Sequence, residues 1–383
     1  MTELGAADVA GLTLASLTTM RVGGPAERVI VARSSAELAE HALELWEAGE
    51  PWLLLGGGSN TIVCDEGFPG AVVLARNTGV DRVIDESLDE GFVRLRVQAG
   101  QDWDSLVAFC VERGWSGIEA LSGIPGCAGA APVQNIGAYG AELGDVLHSI
   151  EFLDAVSGEQ LRLSAAELEL GYRDSTLKRG REGVVLSIDI VLGAGADGLS
   201  AAVRYGQLAQ ALGIEVGERA PLDELRSAVL RLRASKGMVL DDEDHDTWSA
   251  GSFFTNPIVT EKFANELPAE TPRFPLDDSE QVPVVISFED LERGLLPSLP
   301  SNGAPRMVKI SAAWLIEHSG VQKGFRLPGS GAAISSKHTL AITNRGAASA
   351  ADVAQLARLV VQRVQQEFGI ILVPEPNLYG LEL

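Results

Sequence analysis

Residues 121–140, "LSGIPGCAGAAPVQNIGAYG", carry five glycines and no charged side chain. Nothing in such a stretch favours water, so it does not suit a solvated loop. Its backbone belongs either in a tightly packed glycine corner or against a large flat ligand. A second cluster raises the same alternatives. In "PWLLLGGGSN" an apolar strand runs into Gly56, Gly57, Gly58, Ser59 and Asn60, where absent side chains either let backbone N–H groups approach a pyrophosphate or simply allow a turn. At 383 residues the chain exceeds the size of one hydrophobic core, and two or three domains are expected.

Periodicity supplies the elements between these clusters. "AERVIVARS" alternates like a half-buried strand and leads into a helix, with Ser34 and Glu37 as a capping box, Leu38, Ala42 and Leu45 on one face and Gly49 at its end. "GFVRLRVQAG", "SIEFLDAV", "EQLRLSA" and "VVLSIDIVL" read as strands, with a turn at Ser157-Gly158; "DWDSLVAFCVERG" and "AAELELG" read as helices. From about 219 the texture changes. "APLDELRSAVLRLRASKG" is an amphipathic helix, and 258–306 is rich in Pro, Ser and acid, which predicts loops and short elements without an assigned function. The next long helix has Ser349 as cap, Asp352 three residues on, an apolar stripe at Val353, Leu356, Val360 and Val364, and Gly369 as its stop; "IILVPEPNLYG" follows as a final strand.

Charge and cysteine content narrow the partners. The net charge of −23 repels nucleic acid and anionic lipid, so any anionic ligand needs a local cluster of cations. Cys64, Cys110 and Cys127 lack metal-ligand spacing and are too few for a disulfide framework, and the five histidines lack it too, so no metal site is expected. An acidic N-terminus and the absence of an 18-residue apolar run lead to the expectation of a soluble, cytoplasmic protein without membrane insertion. "VLGAGADG" satisfies G-x-G-x-x-G at Gly193, Gly195 and Gly198, but no helix pattern begins at once, and a loop ending a strand is preferred to a dinucleotide site.

Several polar points stand next to glycine or proline. Arg173 in "GYRDS" reads as a surface ion pair or as a site cation. Glu375 in "VPEPNLYG" lies between two prolines that fix its direction, in a dull turn or in a site. Ser252 in "SAGSFFTNP" reads as a turn residue, a phosphate anchor or a proton donor.

In order along the chain, "TTMRVGG", "LLLGGGSN", "GIPGCAGAAPVQNIGAYG", "GYRDS", "RYGQL", "SAGSFFTNP", "AAWLIE" and "PEPNLYG" resemble the UDP-N-acetylenolpyruvoylglucosamine reductases, over about residues 12 to 380. The resemblance implies an α+β, vanillyl-alcohol-oxidase-like fold with FAD-binding subdomains at 1–77 and 78–218, the second completed by 370–383, and a substrate-binding domain at 219–369. It implies FAD as cofactor, NADPH as reductant and UDP-N-acetylglucosamine enolpyruvate as substrate, in a monomer of the loop-bearing class.

By the same resemblance Arg173 stabilises charge on an enolate-like carboxylate, Glu375 donates a further hydrogen bond while protonated, and Ser252 delivers the final proton. Gly251 then leaves room for the flavin, and Phe253 and Phe254 exclude water. FAD contacts are expected at Gly56 to Asn60, at Gly123, Ile124, Pro125, Gly126 and Gly129, and at Asn135, Gly137, Ala138, Tyr139 and Gly140. Tyr205, Asn256, Lys323 and Lys236 are expected to meet substrate, although the acidic insert after Lys236 departs from the family pattern. A related FAD-dependent oxidase and a non-catalytic flavin or sugar-nucleotide binder remain as other readings.

Overall fold

The alternation in "AERVIVARS" becomes strand β1 (Ala26–Ala32), and Ser34 ends it by capping helix α1 (Ser35–Ala48): its Oγ accepts the Glu37 N–H. The Glu37 carboxylate bonds back to the Arg33 N–H at 2.7 Å, one residue earlier than a full capping box requires. Gly49 closes the helix in the left-handed region, φ 63°. The computed structural model describes residues 12–195, 197–276 and 306–383; most of the expected loop region 258–306, the first eleven residues and Ala196 of the G-x-G-x-x-G match lie outside the described residues.

The first unit continues with β2 (Trp52–Leu55), β3 (Thr61–Val63) and β4 (Phe68–Ala75). A parallel sheet of order β1-β4-β2 forms, and Ala71–Ala75 of its central strand are all buried. Second come β5 (Val80–Val83), β6 (Phe92–Gln98), α2 (Trp103–Glu112), the hairpin β7 (Gly137–Ala138) and β8 (Ala141–Glu142), then β9 (Leu147–Asp154), β10 (Gln160–Ser164) and β11 (Gly183–Gly193). The antiparallel sheet has order β10-β9-β11-β6-β5. One face packs on Trp103, Leu106 and Cys110 of α2, while Leu153, Val184 and Leu186 on the other meet α1.

Strand β11 is buried on both faces from Val184 to Ile190, so its polar residues need internal partners. Asp189, with a side chain 0% exposed, accepts from Arg94 at 2.7 Å and Arg96 at 2.9 Å and pairs with Arg162 at 3.2 Å. Burial opposes its ionisation, but the bonds from Arg96 and Arg94 outweigh it and hold the carboxyl below the usual range. Asp189→Ala would leave these guanidinium groups without their shared anion and is expected to destabilise the protein by about 3–5 kcal/mol, read from the denaturant midpoint.

Helices α3 (Gly206–Leu212) and α4 (Leu222–Ser235) pack together through Leu208, Ala209, Leu225 and Val229, with Ala120 and Tyr139 of the second unit against them. The boundary expected at 219 therefore falls inside one apolar cluster. The change of texture there marks the exposed charged face of α4, while its apolar stripe looks back toward the second unit. "AAELELG" forms a single 3-10 turn, Ala166–Leu168, which Glu169 ends at φ 45°.

The last unit holds β12 (Ile258–Thr260), α5 (Glu261–Ala264), β13 (Arg273–Pro275), β14 (Met307–Ile310), α6 (Ala312–His318), β15 (Ala332–Ile334), β16 (Ile342–Asn344) and α7 (Ala350–Phe368). The expected Ser349–Asp352 capping box is complete, and Gly369 ends α7 at φ 69°. Val353, Leu356, Val360 and Val364 of α7 bury against Leu315, Ile316, Phe253 and Phe254, joined by Met20, Val22 and Ile62 from the start of the chain. After α7, β17 (Asn377–Tyr379) pairs in parallel with β3, Asn377 opposite Thr61. The C-terminal strand thus completes the first unit, not the second as expected: the short β3 leaves an open edge at the place where the chain returns.

Candidate active site

Strand β2 delivers its glycines into a cleft of about 790 Å³, which Gly56–Asn60, Ile124–Gly126, Gly129, Gly137, Arg173, Ser252 and Glu375 all line. The glycines are required by contact. A Cβ on Gly57 would stand 2.6 Å from the Gly126 Cα, and Gly58 has φ +64° with the Leu17 carbonyl 2.1 Å from where its Cβ would be. Ser59 Oγ ties the two loops together by donating to the Pro125 carbonyl at 3.0 Å. Behind them Arg76 donates to the Gly56 carbonyl at 3.0 Å.

Arg173 sits at φ 52°, a left-handed conformation costly for a side chain of this size. The turn under it is closed by mutual backbone bonds of Gly171 and Asp174 at 3.1 and 3.2 Å. Lys178 Nζ donates to the Arg173 carbonyl at 2.8 Å, and the guanidinium donates to the Gly137 carbonyl at 2.9 Å and the Asn135 carbonyl at 3.4 Å. Its Nε meets Glu375 Oε1 at 3.1 Å. Asn135, itself at φ 44°, is buried and bonded to Glu142 Oε2, the Gly171 carbonyl and the Gly144 N–H. It braces the Arg173 turn and does not line the cleft.

Ser252 and Glu375 are neighbours because their backbones form a short ladder. Glu375 N–H donates to the Phe253 carbonyl at 2.9 Å, and Thr255 N–H to the Val373 carbonyl at 3.1 Å. From the other side Asn60 Nδ2 donates to the Glu375 carbonyl at 3.3 Å, and Asn377 N–H to the Asn60 carbonyl at 2.9 Å. Gly251, φ +76°, makes the turn into Ser252. Phe253 and Phe254 are 1% exposed in the core of the last unit and do not line the cleft, so they anchor this segment and do not exclude water from the site.

Burial pushes the Glu375 carboxyl above its ordinary value of 4.5, with Arg173 and Lys178 opposing but not cancelling the effect. The folded state therefore holds a proton that the unfolded chain loses above about pH 4.5. Stability should fall as pH rises from there through the raised folded value, and Glu375→Gln should remove that component of the slope. Thermal midpoints of both proteins across the range check this.

The remaining expected contacts lie off the cleft wall. Gly123 donates its N–H to Asp104 Oδ1 at 2.6 Å, and Ala138, Tyr139 and Gly140 form the β7–β8 hairpin. Tyr139 stands edge-on to the exposed Tyr205 at 5.7 Å, and Lys236 Nζ is 5.7 Å from its ring and 3.1 Å from Gln207 Oε1. Lys323 is exposed. Burial, followed by Lys236 and Lys323, pushes the half-buried His338 down to about 4. Asn256 is engaged within the protein, donating to Tyr172 Oη at 3.2 Å and accepting the Ala312 N–H at the start of α6 at 2.9 Å. The acidic insert acts as a clasp: Asp246 accepts from Ser336 at 2.6 Å and Arg345 at 2.8 Å, and Asp244 pairs with Lys337 at 2.5 Å. Among the described residues no cluster of His, Cys, Asp and Glu could hold a metal, and no helix is long and apolar enough to cross a membrane.

Sequence reasoning passed over Arg76 and Arg233, and noted Lys178 only as one of the cations concentrated in "ELGYRDSTLKRG". Lys178 and Arg233 line the cleft, and Arg76 braces it from behind. None stands in a glycine-rich motif; the available signal was the seven-residue spacing of Arg226 and Arg233, which puts both on one face of α4.

Comparison with known proteins matches residues 26–164 to an FAD binding domain and 242–379 to the UDP-N-acetylenolpyruvoylglucosamine reductase C-terminal domain. The UDP-N-acetylenolpyruvoylglucosamine reductase of Leifsonia xyli subsp. xyli is 56% identical over 97% of this chain and 98% of that protein. The chain belongs to the UDP-N-acetylenolpyruvoylglucosamine reductase family. The Saccharopolyspora erythraea enzyme of the same name is 46% identical over 100% of this chain and 98% of its own. The crystal structure of the Thermus caldophilus reductase aligns with TM-score 0.56 at 27% identity, covering 96% and 97% of the two chains.

This reductase is an FAD-containing oxidoreductase of the α+β, vanillyl-alcohol-oxidase-like class. The residues present fit the cofactor: two glycine loops abut so closely that a Cβ on Gly57 would clash with Gly126, which brings bare backbone to the cleft wall. Gly56 to Ser59 and Ile124 to Gly126 would hold it.

Proposed function

We propose that this cleft reduces UDP-N-acetylglucosamine enolpyruvate to UDP-N-acetylmuramate, a peptidoglycan precursor, with NADPH as reductant. The observation that carries the reading is the meeting of Arg173, Ser252 and Glu375 on the wall that also bears the glycine loops. Bound FAD supplies the hydride for the enolpyruvyl methylene carbon.

Charge then develops on the substrate carboxylate, and the fixed Arg173 guanidinium stabilises it. Glu375, whose carboxyl burial pushes toward the protonated form, donates a hydrogen bond to the same group. The Ser252 hydroxyl gives its proton to the adjacent carbon and recovers one from solvent. Substrate carboxylate replaces Glu375 as the partner of the Arg173 Nε–H, a swap that the single 3.1 Å contact permits.

The same few cations serve NADPH and the sugar nucleotide in turn, and "VLGAGADG" is not needed for a second dinucleotide site. In support of that economy, strand β11 ends at Gly193 and α3 begins only at Gly206. Anaerobic spectroscopy tests the proposal. NADPH should bleach the flavin, and the enolpyruvyl sugar should restore its colour without air. Recovery only on admitting oxygen would favour an oxidase.

A further inference from the structure

Besides its contact with Glu375, the Arg173 guanidinium rests on two carbonyls, those of Asn135 and Gly137. One side chain off the cleft wall meets both residues. Glu142 stands opposite Gly137 in the β7–β8 hairpin, and its Oε2 accepts from Asn135 Nδ2 at 2.8 Å. A Cβ on Gly137 would lie 2.9 Å from the Glu142 Cγ and 3.3 Å from Arg173 Nη1, so the bare glycine lets both side chains share that side of the hairpin. The Glu142 N–H donates to Asp145 Oδ2 at 3.0 Å, which fixes where the side chain starts.

The side-chain amide of Asn135, a residue 2% exposed, is fully engaged. Its Nδ2 gives one hydrogen to Glu142 and one to the Gly171 carbonyl at 3.1 Å, while its Oδ1 takes the Gly144 N–H at 2.8 Å. Gly171 begins the turn that carries Arg173. Without the Glu142 acceptor a buried amide hydrogen loses its partner, in a residue already held at φ 44°. Rotating the amide to recover a bond would release Gly171. Burial pushes the half-buried Glu142 carboxyl above its ordinary value; Arg173 opposes this most, followed by Asn135 and Lys309, while Asp145 adds to it. The guanidinium that most favours its charged form is thus the one whose supports it holds.

When the substrate carboxylate takes the place of Glu375 at the Arg173 Nε–H, the two carbonyls are what aims the guanidinium. We propose that Glu142 is a positioning residue of the reaction: it fixes Asn135 and Gly137, and through their carbonyls the direction of Arg173. This rests on the reading above of Arg173 as the cation that meets the substrate carboxylate.

A mutant cycle on the holoprotein tests it, with Glu142→Ala and Glu142→Gln made alone and in the Arg173→Ala background. Anaerobic rapid mixing reads the two half-reactions per bound flavin. Glu142→Ala is expected to slow reoxidation at saturating enolpyruvyl sugar about tenfold or more, with reduction by NADPH unchanged. Glu142→Gln keeps an acceptor for Asn135 and should return to within about threefold of wild type. Without the Arg173 side chain, neither substitution should change the remaining rate by more than about twofold. An alanine variant as fast as wild type, a glutamine variant as slow as alanine, or an equal fall in both backgrounds overturns the proposal. Should Glu142→Ala fail to fold, Glu142→Met, of similar length but without an acceptor, takes its place under the same criteria. A wild-type flavin that the enolpyruvyl sugar does not reoxidise contradicts the proposed function instead. The coupling of Glu142 to Arg173 is then read from denaturant midpoints of the same cycle, and additive shifts overturn it.

Discussion

Ser252→Ala is expected to lower turnover about 10²- to 10⁴-fold while the protein keeps its flavin and its fold. The side chain is a half-buried part of the cleft wall, and the backbone on its C-terminal side is held independently by the Phe253–Glu375 and Phe253–Leu340 bonds, so loss of the hydroxyl leaves the scaffold in place. The defect should be confined to one half of the cycle. Reduction by NADPH needs no proton from Ser252 and should proceed at the wild-type rate, whereas reoxidation by the enolpyruvyl sugar should carry the loss. Rapid-mixing spectroscopy without oxygen separates the halves; reoxidation at the wild-type rate would remove Ser252 from the role.

Arg173→Ala should cost about 10²- to 10³-fold in kcat, again with flavin retained. The side chain contributes an oriented charge, which the Asn135 and Gly137 carbonyls and Glu375 hold in place. Arg173→Lys restores charge without that fork and is expected to recover little of the rate. Equal falls in kcat and kcat/KM would mark an interaction made in the transition state, while a change in KM alone would reduce Arg173 to a binding residue.

Much of this was legible because local and global signals agree. The caps of α1 and α7 are short-range chemistry, and Ser34, Gly49, Ser349, Asp352 and Gly369 do what their residue types predict. The glycine loops were legible as places of close approach, and Gly57 against Gly126 is such a place. What sequence did not give was pairing between distant segments. Nothing in "NLY" says that it will lie beside Thr61–Val63, and nothing in the apolar stripe of α4 says which neighbour it will choose.

Side-chain direction was also hidden. Phe253 and Phe254 turn away into the core, Asn135 braces the Arg173 turn, and Asn256 accepts the first N–H of α6 instead of facing an open cleft. Arg233 was passed over because its seven-residue spacing from Arg226 says only that the two share a face of α4; the packing of that helix against Asp104 is what turns that face inward.

The central claim is that Arg173, Ser252 and Glu375 act together on one substrate over one flavin. A crystal structure of the FAD complex with the enolpyruvyl sugar tests it most directly. The account predicts the Ser252 hydroxyl about 3 Å from the carbon to be protonated, with Arg173 and Glu375 both on the substrate carboxylate. A substrate seated elsewhere, with the three side chains still bonded only to the protein, would contradict it.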